Sequence, residues 1–424
     1  MSERRACDVL IIGAGPAGLA AAYRVCQSDR KPTVVDDNPD AGGQIWRGER
    51  TKPSTPEAAH WFEKIRNSNI HLVPGARVYQ EPEPGVLLAE VDRDVCEFRY
   101  RKLIVATGAR ERFLPFPGWT LPNVTGAGGL QALVKTGAPI EGKRVVVAGS
   151  GPLLLAVADY LQSKGANVVL IAEQASKPRL ARFGVKLLGQ KSKLASALKL
   201  RRKLSEVRYL HGCWPIVATG DNQLRSVKLR QGSRTWDLDC DYLACGFHLV
   251  PNLELAELLG CKVEDGQVIV DDLQQTSVAN VFAAGEVTGI GGLELSLVEG
   301  EIAGLAACDQ NGAARKLFSH RARHRKFANA LNETFRLRSE LKELSDAQTI
   351  VCRCEDVAFG LLQTSDSWRA AKLHTRCGMG PCQGRICGAA VEFLFGWKAE
   401  SVRPPIFPVR VGSMTTEIPQ IATD

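Results

Sequence analysis

The stretch Asp8-Val-Leu-Ile-Ile-Gly13-Ala-Gly15-Pro16-Ala17-Gly18 constrains this chain more than any other. A short apolar run enters G-x-G-x-x-G, and the helix-forming Leu19-Ala-Ala-Ala-Tyr-Arg follows. The spacing predicts a buried parallel strand, a tight turn, and a helix whose N-terminus faces that turn. Gly13 permits the turn, Gly15 leaves room for a pyrophosphate against the backbone, and Gly18 lets helix and strand pack closely. The helix dipole and its free N–H groups favour an anion at the same place. The backbone from Gly13 to Gly18, Pro16 and Ala17 included, is therefore the expected contact for a dinucleotide. Such a unit needs a carboxylate about 20 residues further on, at the end of its second strand. Pro32-Thr-Val-Val-Asp36-Asp37 supplies it, with Asp36 the expected ribose partner and Asp37 the alternative.

Next in order, Gly42-Gly43-Gln44 is a glycine pair that lets backbone close over a nucleotide. Leu103-Ile-Val-Ala-Thr107-Gly108 reads as a strand and glycine turn, and it resembles the A-T-G segment of flavoproteins with two dinucleotide-binding domains. A second unit, Arg144-Val-Val-Val-Ala-Gly149-Ser-Gly151-Pro-Leu-Leu154, repeats the first motif with one defect. Leu154 stands where the third glycine would allow close helix–strand packing. The occupant of this unit is left open between NAD(P), another adenine nucleotide such as ATP, and none. Thr276-Ser-Val-Ala-Asn-Val-Phe-Ala-Ala-Gly285-Glu286 then returns the chain to the first domain. The same flavoproteins end that domain on A-x-G-D, a strand-to-helix turn whose carboxylate bonds the ribityl hydroxyls of FAD; here the acid is Glu286, one methylene longer, and the resemblance implies the same role for it.

With 424 residues, 45% apolar and 24% charged, the chain is a globular one of two or three domains. Its net charge of +8 comes without an aromatic-interleaved basic stripe, so nucleic acid is not an expected partner. No segment reaches the roughly 18 uninterrupted apolar residues of a membrane span, and the run after Arg4-Arg5 carries the dinucleotide motif rather than a cleavage site. A cytoplasmic protein is expected. Two basic stretches stand out: 176–206 reads as a solvated helix face, and 313–344 as a basic amphipathic helix serving as a linker or docking face, with the faces around Arg201 and Arg323 the candidate docking surfaces. No His/Asp constellation offers acid–base chemistry, so no catalytic residue is assigned.

Thirteen cysteines are present, five of them between Cys352 and Cys387. Cys352-Arg-Cys354 and Cys377-Gly-Met-Gly-Pro-Cys382-Gln-Gly-Arg-Ile-Cys387 offer thiolates from two loops, the second glycine-rich, a pattern suited to a [2Fe–2S] cluster. Zinc is the alternative, although structural zinc favours the Cys-x2-Cys knuckles that are absent here.

Together these segments, with Val402-Arg-Pro-Pro-Ile-Phe-Pro near the end, resemble one family over nearly the whole chain. It is the FAD/nucleotide-binding component of amine and amino-acid dehydrogenases built from several subunits, including the corresponding components of opine oxidase and D-hydroxyproline dehydrogenase and the middle subunit of hydrogen cyanide synthase. The resemblance implies an α/β, two-dinucleotide-binding-domain flavoprotein with a small C-terminal domain like bacterioferritin-associated ferredoxin. It implies FAD at the first motif and a [2Fe–2S] cluster on Cys352, Cys354, Cys382 and Cys387, leaving Cys377 in reserve. It further implies a hetero-oligomer containing a small ferredoxin-like subunit, a second FAD-containing dehydrogenase subunit, and relay of electrons from a secondary amine or imino acid. The expected boundaries are 1–120 and 266–345 for the FAD domain and basic helix, 121–265 for the second nucleotide domain, and 346–424 for the iron–sulfur domain and tail. A stand-alone NAD(P)H-dependent FAD oxidoreductase is the alternative function.

Overall fold

The computed structural model describes residues 3–187, 190–399 and 402–415; the end of the expected tail, 416–424, lies outside them. The chain forms two compact units: the first from Met1–Arg110, Pro251–Ala328 and Ser401–Asp424, the second from Glu111–Val250 and Asn329–Glu400.

In the first unit the apolar run becomes the strand Glu3–Ile12, parallel to Pro32–Val35 on one side and to Asp94–Val105 on the other. His71–Val73 extends the sheet past Pro32–Val35, and Val281–Ala283 pairs with Leu103–Val105. Strands covered on both faces can be apolar at every position, which is why Val9–Ile11 and Leu103–Val105 are fully buried. The N-terminal half of Asp94–Val105 instead pairs with the antiparallel strands Val86–Val91 and, beyond it, Ala76–Glu83. The helix Pro16–Cys26 lies on the sheet with an alanine face against the helix Leu293–Ala307. Their backbones touch: a Cβ on Gly300 would come within 2.1 Å of Ala17 O, and one on Gly304 within 2.4 Å of Ala21 O. Residues 402–415 brace the same unit, with Ile406 N donating to Tyr79 O and Tyr79 Oη donating to Ser413 O.

The second unit carries a five-stranded parallel sheet in the order Arg208–His211, Asn167–Glu173, Arg144–Ser150, Tyr242–Phe247, Val124–Gly126. A three-stranded antiparallel sheet follows it, Cys213–Thr219, Ser226–Gln231 and Arg234–Asp239. The cysteine region belongs to this unit. It has a short ribbon (Ile350–Cys352 with Val357–Ala358), the helices Trp368–Thr375 and Cys387–Phe395, and a small core of Val351, Val357, Leu362 and Val391 around its buried thiols. Ile386 and Phe393 pack onto the apolar cluster that holds Trp119 and Trp214. Among the described residues no helix is long and apolar enough to cross a membrane.

Candidate functional site

The first glycine turn stands at the carboxyl end of the central strand of the first unit. Gly13 N donates to Val35 O and Gly42 N to Ala14 O, so the strand, the turn and the Gly42-Gly43 loop are tied together. A Cβ on Gly18 would lie 1.8 Å from Gly13 O; this glycine serves the close helix–strand approach the motif requires. Gly15 is different. Its φ of −76° suits any residue, and an added Cβ would meet only Gly43 Cα, at 3.8 Å. The fold does not need a glycine there, whereas a pyrophosphate approaching the helix N-terminus does. The helix begins at Pro16 with no side chain capping it, so its first N–H groups are open to an anion.

Asp36 takes Ala14 N on one oxygen at 2.6 Å and both Asn38 N and Asn38 Nδ2 on the other. It lies at a recess lined by Ala14, Val34, Asn38, Ala41, Leu72 and Pro74. Asp37 is exposed and faces Arg77 at 3.7 Å. Gln44 is exposed as well, its Oε1 accepting from Arg47. Thr107 and Gly108 are fixed by Asn252: Thr107 Oγ1 donates to Asn252 O, Asn252 Nδ2 to Thr107 O, and Asn252 N to Gly108 O.

Glu286 sits in the 3-10 turn Gly285–Thr288. One oxygen accepts from Gly292 N at 2.7 Å; the other, Oε2, is buried with no partner among the described residues. Burial raises its pKa. A buried oxygen left without a donor costs about 1–3 kcal/mol, so a ligand hydroxyl donating there would be stabilised. The extra methylene of Glu286 is thus compatible with the ribityl role of the shorter acid.

The residue that sequence reading missed is Glu299. Only 2% exposed, it accepts from Gly285 N, Thr288 Oγ1 and Arg325 Nη2, the last at 3.0 Å, and so fixes the turn bearing Glu286. Arg325 and Arg321 come from the helix Phe318–Phe335, within the stretch read above as a basic amphipathic helix. Its charges divide between two faces: Arg321 is 4% exposed and bonded to Asp272 and Gln274, and Arg325 turns inward to Glu299, while Arg323 stays exposed. The available signal was an acid amid the apolar residues of the helix Leu293–Ala307, since a buried carboxylate must find a cation. Arg201 is exposed, as expected of a solvated face.

The second glycine turn is built on the same plan with different chemistry. Leu154 is buried in the core of its own unit, beside Val147 and Val157. At the end of the neighbouring strand, Glu173 accepts from Gly151 N at 2.7 Å and Ala175 N at 2.7 Å. Burial pushes its pKa up to about 7 in spite of those two donors. Because the folded value lies above the ordinary 4.5, the fold holds the neutral acid best, and stability falls as pH rises from 4.5 through about 7. At about 1.4 kcal/mol per pKa unit, Glu173→Gln is expected to gain about 3 kcal/mol relative to wild type between about pH 5 and pH 8. Unfolding curves at the two pH values check this; a pH-independent difference would contradict it.

In the cysteine region the sulfurs of Cys352, Cys377 and Cys387 lie within 4.8 Å of one another, all three at most 1% exposed. The Cys377 and Cys387 thiols, with the N–H groups of Gly378 and Glu355, bond to Cys352 and bring its pKa down to about 2. Cys377, hydrogen-bonded to Cys352, is pushed up to about 12. Cys354 is exposed and touches the thiol and backbone N–H of the half-buried Cys382. Gly380 keeps the loops together, since a Cβ there would lie 2.2 Å from Cys354 Cβ. The five thiols therefore divide into a buried triad and an outer pair, and Cys377, expected in reserve, is part of the triad. A soft-metal centre fits such a donor set.

Residues 7–307 match the family of pyridine nucleotide-disulphide oxidoreductases. Hydrogen cyanide synthase subunit HcnB of Pseudomonas aeruginosa is 30% identical over 418 residues, 89% of this chain and 90% of that protein. An opine oxidase subunit of Rhizobium meliloti is 29% identical over 451 residues, 96% of this chain and 98% of that protein. Among solved structures, L-proline dehydrogenase from P. horikoshii superposes with a TM-score of 0.68 at 17% identity, covering 98% of this chain and 81% of that one. The thioredoxin reductase of T. acidophilum, with a TM-score of 0.55, covers 74% of this chain and 99% of its own. Both share the Rossmann-type architecture. The chain belongs to the pyridine nucleotide-disulphide oxidoreductase family and is an FAD-dependent oxidoreductase, homologous over most of its length to HcnB and to the opine oxidase subunit.

Proposed function

We propose that this protein is the electron-transferring subunit of a multi-subunit dehydrogenase acting on a secondary amine or imino acid of the D-hydroxyproline or opine class. The observation that carries this reading is a dinucleotide cradle and, in the same chain, a buried triad of thiols with the Cys354–Cys382 pair. The relatives aligned over nine-tenths of it are named as subunits, one of hydrogen cyanide synthase and one of opine oxidase. FAD accepts electrons in pairs and a [2Fe–2S] cluster passes them singly.

In this reading the backbone of Gly13–Gly18 receives the pyrophosphate, Asp36 the adenosine ribose, and Gly43 and Gln44 close over the nucleotide. Thr107 and Gly108 border the flavin end, and Glu286 Oε2 accepts from the ribityl chain. Arg325 and Glu299 hold the Glu286 turn in place. Cys352, Cys354, Cys382 and Cys387 ligate the cluster, with Cys377 competing for one position. Residues 346–399 form an iron–sulfur domain. Substrate chemistry belongs to a second FAD-containing subunit, a small ferredoxin-like subunit is a further partner, and the acceptor is not oxygen.

Co-expression with a second flavin subunit is expected to create amine-dependent dye reduction that the isolated chain lacks. Amine oxidation by the isolated chain, or rapid bleaching of its flavin by NADPH, would contradict the relay role; the latter would make it a stand-alone reductase.

A further inference from the structure

The second glycine turn has the shape of a phosphate loop, yet the donors around it are engaged by the chain itself, while the buried Gln174 Oε1 has no partner among the described residues. Ser150 Oγ donates to the carbonyl of Phe335 at 2.8 Å. Gln174 Nε2 donates to Ser150 Oγ at 2.8 Å and reaches Phe335 O at 3.3 Å and Arg336 O at 3.4 Å. Arg179 Nη1 donates to Arg336 O at 3.0 Å. Gly151 N, a donor that a pyrophosphate would use, is held by Glu173. Ser150, Glu173 and Gln174 are 5%, 1% and 0% exposed, so these polar groups are shielded from solvent.

The apolar side is closed in the same way. Phe335 is 5% exposed and meets Phe183 edge to face, ring centroids 5.3 Å apart. A Cβ on Gly151 would lie 3.8 Å from the Phe335 ring, so the space that a glycine at this position normally keeps for phosphate is taken by an aromatic ring. Downstream, Leu337, Leu341 and Leu344 pack on the apolar cluster of this unit, ahead of the cysteine region.

We propose that the second dinucleotide turn is an intramolecular receptor. It binds the Phe335–Arg336 peptide of its own chain where a nucleotide pyrophosphate would lie, and so excludes NAD(P)H and ATP while anchoring the segment that leads into the cysteine region. Backbone carbonyls, the negative ends of peptide dipoles, replace phosphate oxygens at Ser150 and Gln174. The pyridine nucleotide implied by the fold family does not fit here. A fold retained without its ligand has become a clamp.

Hydrogen–deuterium exchange on the flavin-loaded protein tests this without any assay of turnover. Peptides covering 149–152 and 335–337 are expected to be strongly protected in buffer alone and unchanged by millimolar NADH, NADPH or ATP. Paired Phe335→Ala and Gln174→Ala should speed exchange at 149–152 at least about tenfold, the change that 1.4 kcal/mol of lost protection produces, with visible flavin absorbance retained. Added protection at 149–152 or release of 335–337 on nucleotide addition to wild type would overturn the proposal, and so would full protection at 149–152 in a folded double variant. The wild-type arms stand even if that variant does not fold. The test is separate from the relay reading, because a nucleotide found in this turn would leave the flavin and thiol assignments untouched.

Discussion

Gly15→Val is expected to yield a folded protein without flavin. The mutated position has an ordinary φ of −76° and open space around the missing Cβ, with Gly43 Cα the single neighbour at 3.8 Å. The apoprotein should therefore keep its melting temperature. The valine methyl groups would occupy the approach to the uncapped helix N-terminus at Pro16. Overpacking costs about 1–3 kcal/mol and each lost hydrogen bond to a charged phosphate about 1.5–3 kcal/mol, so affinity should fall on the order of a thousandfold. Visible absorbance after mild purification and reconstitution with added FAD reads this out. Gly18→Val is the contrasting control: its Cβ would lie 1.8 Å from Gly13 O, so that variant should fail to fold rather than fold empty. A Gly15→Val protein as yellow as wild type would refute the pyrophosphate assignment.

The second large effect concerns the thiols. Protein purified without oxygen is expected to hold iron and acid-labile sulfide at about two each per chain, the content of a [2Fe–2S] cluster. Cys352→Ser should abolish both, because that sulfur lies at the centre of the buried triad and accepts from two thiols and two backbone N–H groups. The other four cysteines divide the remaining places. With ligands at Cys354, Cys382 and Cys387, Cys377→Ala keeps the cluster and Cys387→Ala loses it. The buried position of Cys377, within 4.8 Å of both Cys352 and Cys387, makes the reverse outcome the informative one: loss with Cys377→Ala and retention with Cys387→Ala would exchange the two residues in the ligand set. Stoichiometric zinc without sulfide would contradict a cluster altogether.

The strand–turn–helix units were legible in the sequence because each places a local demand on specific residues. Gly13 and Gly18 face backbone atoms that tolerate no side chain, and Val9–Ile11 must be apolar throughout because the strand is covered on both faces. Leu154 marked the second unit as altered for the same reason. What could not be read is chemistry between residues far apart in the chain. Arg321 and Arg325 look like surface charge in an isolated helix, but their partners, Asp272 and Glu299, lie 49 and 26 residues away. Phe335 carries no local signal at all, since its contacts with Ser150 and Gln174 span 185 and 161 residues. In the thiol set the spacing showed that five cysteines compete, but only the folded chain sorts them into a buried triad and an outer pair.

The relay role is tested most directly by electron paramagnetic resonance on the complex with its second flavin subunit, frozen shortly after mixing with a D-hydroxyproline or an opine under anaerobic conditions. The account predicts the signal of a reduced [2Fe–2S] cluster that grows with amine addition, is missing when the isolated chain is mixed with the same amine, and disappears in the Cys352→Ser complex. No cluster signal from the intact complex during amine oxidation, or an equal signal in the isolated chain treated with NADPH, would contradict it.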